Sequence, residues 1–200
     1  MTDTEIVNLA ISHLGTSTEI TSLATEASQE ALVARRYYDI ALDKVLGAFA
    51  WPFATRVVAL ALVQSAPTTE WDYSYRYPSD CLTMRRILSG TRNDTRQSTI
   101  PYLIASDASG RLIYTDEETA VCEYTKRITD TSIFPPDFTL AFSYYMASLM
   151  APRITGGDQF KLGQLAYAQY RNAISEASAK AVNEQKAEEL PESEYIRERS

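Results

Sequence analysis

Trp71-Asp72-Tyr73-Ser74-Tyr75-Arg76-Tyr77-Pro78 is the stretch that decides the fold. Aromatic residues hold every second position and polar residues fill the gaps. In an extended strand this places four rings on one face, whereas a helix would scatter them around its circumference. Working outward, 56–63, 81–88, 100–105, 111–114 and 120–128 are short, largely apolar segments of the same kind. Turn formers separate them: Pro67-Thr68-Thr69, Pro78-Ser79-Asp80, Ser89-Gly90 and Ser109-Gly110. Six short strands with short connections predict an antiparallel meander or small barrel over 51–134, with the polar 91–99 as a hairpin tip.

Helical periodicity takes over on both sides. Thr2 and Glu5 have capping-box spacing, apolar Ile6, Val7, Ala10, Ile11 and Leu14 follow, and Gly15 is a left-handed stop. A Ser/Thr-rich loop covers 16–25. A second helix is expected at about 26–50. Ala31, Ala34, Tyr38, Ala41, Val45 and Phe49 share its inner face, widened by Leu32, Leu42 and Leu46, until Trp51-Pro52 ends it. Pro135-Pro136-Asp137 opens a third helix with a stripe of Phe138, Phe142, Tyr145 and Leu149. Apolar on much of its surface, it belongs at the centre of a bundle. Pro152 and Gly156-Gly157 are its expected stop. Asp158 caps a fourth helix, on which Phe160, Gly163, Tyr167, Tyr170, Ile174, Ala177 and Ala181 step by 3 and 4. After residue 172 this stripe thins to Ala and Ser, so the helix is expected to outrun its core.

The fold class read from this order is α+β. A bundle of about four helices, 1–50 and 135–182, is interrupted by an antiparallel β domain at 51–134. An exposed tail, 183–200, follows.

Among 200 residues, 19 Lys and Arg face 26 Asp and Glu, a net charge of −7. The β region is nearly neutral and the tail is rich in Glu. An acidic balance argues against a protein that grips nucleic acid by its phosphates. The longest apolar run, 57–63, is far short of the roughly 20 residues that span a bilayer. No secretory leader is expected, and two cysteines make neither a disulfide framework nor a zinc motif, so a reduced, cytosolic origin is the default. No cofactor or metal is expected.

Few residues offer chemistry. His13 is the only histidine, so any Ser-His-Asp system runs through it; its place at a helix end favours a structural or capping role. Cys81 and Cys122 read as small core residues of strands. Asp116, Glu117 and Glu118 read as a polar turn rather than an acid/base pair. Gly156-Gly157 lacks the Lys-Ser/Thr of a phosphate loop. Arg85, Arg86, Arg92 and Arg96 form the one basic cluster, read as a solvated hairpin with the alternative of a contact to a tail partner. The aromatic strand is read as facing a core, and a sugar or base platform is the alternative.

Ala50-Trp51-Pro52-Phe53-Ala54 closing a helix, and Tyr75-Arg76-Tyr77-Pro78-Ser79-Asp80-Cys81-Leu82 entering a strand, resemble the tail tubular protein A family of short-tailed bacteriophages. The helix over 136–154, the Thr155-Gly156-Gly157 that follows and the Ala-rich helix beyond fit the same pattern. The resemblance spans about residues 25–180 and carries no catalytic signature. It implies a non-enzymatic head-to-tail adaptor at the head-tail junction of a virion assembled in the host cytoplasm. Copies would form a ring, typically twelve-fold, beneath the portal protein. The ring would extend a channel through which DNA passes without specific binding, and present a platform for the distal tail (nozzle) protein; no membrane is involved. On this reading Leu190, Tyr195, Ile196 and Arg197 are the tail residues expected to bind the portal or a neighbouring subunit. Without a partner surface such a charged segment cannot offset its ordering entropy. The rival reading is a tail-associated glycan or peptidoglycan hydrolase, which would need an acid/base pair in a cleft.

Overall fold

The computed structural model describes residues 1–90, 98–157 and 161–184. Helix α1, Asp3–Ser12, starts on the full capping box: the Thr2 hydroxyl accepts from the Glu5 amide and the Glu5 carboxylate accepts from the Thr2 amide. Gly15 leaves the helix at φ 71°. Helix α2, Gln29–Ala48, is capped by Ser28. Its inner face holds Ala31, Ala34, Ala41, Leu42, Val45 and Leu46, as the periodicity requires. Leu32 corrects the expectation: it is exposed, and Val33 is buried in its stead.

Helix α3, Pro136–Ile154, is the centre of the bundle and touches α1, α2 and α4. Phe138, Ala141, Phe142, Met146, Ala147, Met150 and Ala151 are all buried. Pro152 does not stop it, contrary to the sequence reading. It sits in the last turn, and its carbonyl accepts from the Gly157 amide at 2.9 Å, so the stop falls on the left-handed Gly156.

Helix α4, Leu162–Glu184, packs along α3. Its buried line is Gly163, Ala166, Tyr170, Ala177 and Ala181, while Tyr167 is exposed. The expectation that this helix outruns its core is overturned. Ala177 and Ala181 close over a crevice lined by Trp51, Phe53 and Phe138, because small side chains let the helix approach bulky rings closely. Asp158 and Phe160 lie outside the described residues, as does the tail from 185 onward.

The α+β class holds, with seven strands among the described residues in two antiparallel sheets. These are β1 Thr55–Ala59, β2 Leu62–Ser65, β3 Tyr73–Arg76, β4 Cys81–Ile87, β5 Leu103–Asp107, β6 Gly110–Thr115 and β7 Val121–Lys126. The stretch expected as one strand over 56–63 breaks at Leu60-Ala61, where the Leu60 amide bonds Ala120 and the Ala61 carbonyl accepts from Arg76. The chain thereby passes from one sheet to the other. Sheet order is β1-β7-β4 in one and β2-β3-β6-β5 in the other, so the arrangement is no simple meander. Strands β4 and β5 belong to different sheets; of the 91–99 stretch expected as a hairpin tip, residues 91–97 lie outside the described residues. Both sheets enclose one apolar cluster with Tyr75, Ile87, Ile113, Cys122 and Tyr124 at its centre. The helices enclose a second and larger one.

Two arginines join the halves. Arg85 on β4 donates to the carbonyls of Gly47 and Phe49 at the end of α2. Arg127, just past β7, pairs with Asp43 at 2.6 Å and Asp39 at 2.7 Å on α2. Between them Trp51 stacks edge-on against Phe49 and Phe138 and donates its indole N–H to the Val45 carbonyl at 2.9 Å.

Candidate functional site

A groove of about 540 Å³ opens where the two sheets meet. It follows from the way the chain changes sheets. Strand β1 enters β2 along one side, and the turn Tyr77-Pro78-Ser79-Asp80 carries β3 into β4 along the other. The β5–β6 turn at Ser109-Gly110 closes an end.

Three guanidiniums, Arg56, Arg76 and Arg111, line this groove against a single lining carboxylate, Asp80. Each is held differently. Asp80 accepts from Arg56 Nη1 at 2.7 Å and from the Tyr124 hydroxyl at 2.7 Å, with Lys126 Nζ at 3.7 Å. Arg76 makes a two-pronged pair with Asp107 at 2.9 and 3.1 Å. Arg111 lies over the Tyr77 ring at 3.8 Å and makes a long bond to the Cys81 carbonyl at 3.4 Å. It is exposed and has no carboxylate partner among the described residues, so its positive charge is presented at the groove.

The electrostatics favour binding over proton transfer. Burial pushes the Asp80 carboxyl up, but the Tyr124 hydroxyl and Arg56 outweigh it and hold the group below its ordinary range. Burial raises Tyr77 to about 12, and it also raises Tyr124, where the Asp80 hydrogen bond adds to the effect. None of these groups is poised to exchange a proton near neutrality. What the groove can do is accept an anion by charge-assisted hydrogen bonds.

The residues singled out by sequence fall elsewhere. His13 does meet a serine: its Nε2 lies 3.0 Å from Ser143 Oγ, with the ring stacked on Tyr144 at 3.9 Å. Ser143 is fully buried and donates to the Leu140 carbonyl, so its hydroxyl accepts from His13 and no substrate reaches it. The pair ties α1 to α3. Cys81 and Cys122 are buried free thiols, and burial raises Cys122 to about 11, far from a reactive thiolate. Asp116, Glu117 and Glu118 form a turn, but one that crosses between sheets. The Tyr75 hydroxyl anchors it, its single proton shared between the carbonyls of Glu117 and Glu118 at 2.7 and 2.6 Å.

Of the arginine cluster, Arg85 and Arg86 lie on strand β4 and are held by partners rather than solvated. Arg85 is the cap of α2, and Arg86 pairs with Glu123 at 2.8 Å; Arg92 and Arg96 lie outside the described residues. So do Leu190, Tyr195, Ile196 and Arg197. Of the aromatic strand, Tyr75 and Tyr77 are buried in the β core, and Tyr73 packs partly against it. Among the described residues no group of three or more His, Cys, Asp or Glu is placed to hold a metal, and no helix is long and apolar enough to cross a membrane. The groove itself escaped the sequence reading, because Arg56, Arg76 and Arg111 come from three separate strands. The one local signal was Asp80, inside the Tyr-Pro-Ser-Asp-Cys-Leu segment.

No family model matches this chain, and no curated protein matches it.

Proposed function

We propose that this protein is a structural component of a phage virion, a head-to-tail adaptor without an enzymatic step. Copies form a ring, twelve-fold in this reading, docked under the portal protein. The ring extends the DNA channel and carries the distal tail (nozzle) protein, and DNA passes without specific binding. Leu190, Tyr195, Ile196 and Arg197 contact the portal or a neighbouring subunit.

The observation that carries this reading is where the resembling segments lie. Trp51-Pro52-Phe53 is the aromatic hub between the helical and β cores, with Phe53 also 5.0 Å from Phe138. Tyr77-Pro78-Ser79-Asp80-Cys81 is the crossing between the two sheets. Both are joints that fix the relative placement of rigid parts, the property a ring subunit needs to repeat one contact around an axis. The acidic balance, −7 overall, suits a channel that must release DNA.

The test is electron microscopy of the purified protein mixed with portal rings of its own virus. An added tier of protein density below the portal, with the free chain monomeric by light scattering, is the expected result. Absence of any added tier overturns the proposal. Release of sugars from host wall or capsule by the purified chain would favour the hydrolase instead.

A further inference from the structure

We propose that strand β5 of one copy of this chain pairs with strand β2 of a second copy, so that the four-stranded sheet continues from copy to copy. Side-by-side copies belong to the adaptor reading, on which this contact rests; its test uses no portal, so the two fail separately.

The row of side chains across the sheet is the first argument. Leu62 stands opposite Tyr75, Tyr75 opposite Ile113, and Ile113 opposite Ile104. Residues directly opposite one another share a face, and Tyr75 and Ile113 turn that face to the β core. The middle of the row is sealed, with Tyr75 1% and Ile113 0% exposed. Its ends are open, with Leu62 53% and Ile104 44% exposed. The apolar row of the core therefore runs off both edges of the sheet. Setting Ile104 of one copy beside Leu62 of the next joins the open ends and covers each with apolar surface.

Strand direction is the second. The order β2-β3-β6-β5 is antiparallel at every step. Four alternating strands leave β2 and β5 pointing opposite ways. A copy displaced along the sheet, without being turned over, thus offers its β2 antiparallel to β5. Such a contact joins two different surfaces and repeats head to tail.

Edge chemistry is the third. Strands β2 and β5 are the two ends of the sheet order, so one side of each carries backbone groups that the sheet does not pair. Natural edges are commonly blunted by charge or proline. Leu62-Val63-Gln64-Ser65 and Leu103-Ile104-Ala105-Ser106 hold neither. The register shift in β2 falls between Leu62 and Gln64 and leaves Leu62 opposite Tyr75. Strands of four and five residues bury well short of the roughly 1,200 Å² at which stable interfaces begin. Free copies therefore stay apart when dilute and pair when crowded or held side by side.

The experiment mixes two single variants, Leu62→Cys and Ile104→Cys, under mild oxidation and reads disulfide-linked dimer on a non-reducing gel. Both positions are exposed, and the native Cys81 and Cys122 are buried; the wild type supplies the background. At about 1 mM protein, the mixture should give at least about fivefold more dimer than either variant alone, because directly opposite positions stand within disulfide reach. Peptide mapping should join positions 62 and 104. No excess dimer in the mixture overturns the proposal. As much dimer from either variant alone also overturns it, since that is a closed pair of like edges. The wild type gives a second arm: raising protein from about 10 µM to about 1 mM should slow amide exchange in 62–65 and 103–106 together. Slowing in neither segment, or in only one, overturns the pairing of β5 with β2.

Discussion

The Arg85 guanidinium donates to the Phe49 carbonyl at 2.6 Å. Phe49 is the residue on which α2 ends, and the carbonyls of a helix's last turn have no partner within it. Arg85 also reaches the Gly47 carbonyl at 3.2 Å and bonds the Thr125 hydroxyl at 2.8 Å. One side chain therefore satisfies the helix end, meets its dipole with a cation and fixes β4 and β7 against it.

Arg85→Met should cost about 2–3 kcal/mol, the range for losing charge-assisted hydrogen bonds and leaving carbonyls unpaired. Arg86→Met, breaking a pair whose arginine is 43% exposed, should cost about 1 kcal/mol at most. Urea denaturation of both variants checks the ordering. Equal losses would mean that the cap does not join the two halves.

Tyr75 tests the crossover. Tyr75→Phe keeps the ring in the β core and removes the hydroxyl whose proton is shared between the Glu117 and Glu118 carbonyls. A loss of about 1–2 kcal/mol is expected, and about 3–5 kcal/mol for Tyr75→Ala, which also opens a cavity. Thermal melting reads both. A Phe variant as stable as the wild type would show that the 116–118 turn holds itself.

Helix α4 offers a contrast between faces. Ala181 is buried toward the Trp51 and Phe138 crevice, whereas Ser175 is exposed. Ala181→Asp should lose more than about 2 kcal/mol by bringing an unpaired charge against aromatic rings. Ser175→Asp should change stability by less than about 0.5 kcal/mol. Tolerance of Ala181→Asp would restore the picture of a helix running free of its core.

His13 sets a pH dependence. Burial lowers its folded pKa below the ordinary 6.5. The unfolded chain binds the proton first, so this contribution is complete above about pH 6.5 and declines as pH falls from there toward the folded value. His13→Phe, which can keep the stack on Tyr144, should flatten the stability profile between about pH 7 and pH 5. Denaturation midpoints across that range decide it, and parallel profiles would place the titration elsewhere.

The sequence by itself determined every element whose pattern is local. The capping box of Thr2 and Glu5 fixed the start of α1. The 3-4 spacing fixed the buried face of α2, and the alternation around Tyr75 marked a strand, shorter than expected at Tyr73–Arg76, with Tyr75 inward but Ser74 buried as well and Trp71 outside it. These depend on backbone periods of 3.6 and 2, which the order of residues displays directly. Tertiary structure decided the rest. Strand β4 buries Cys81, Met84 and Ile87, every third residue, because irregularities at 81/83 and 84/86 shift its register with β7. An irregularity of that kind inserts a residue and rotates the face, which no period-2 count anticipates. The weak Ala stripe of α4 proved to be a buried face, since the rings it needs come from α3 and from Trp51-Pro52-Phe53. The groove exists only because β1, β3 and β6 bring Arg56, Arg76 and Arg111 to one seam. Charges that distant along the chain act together when the strand order makes them neighbours, and strand order is set by the packing of both sheets around one core.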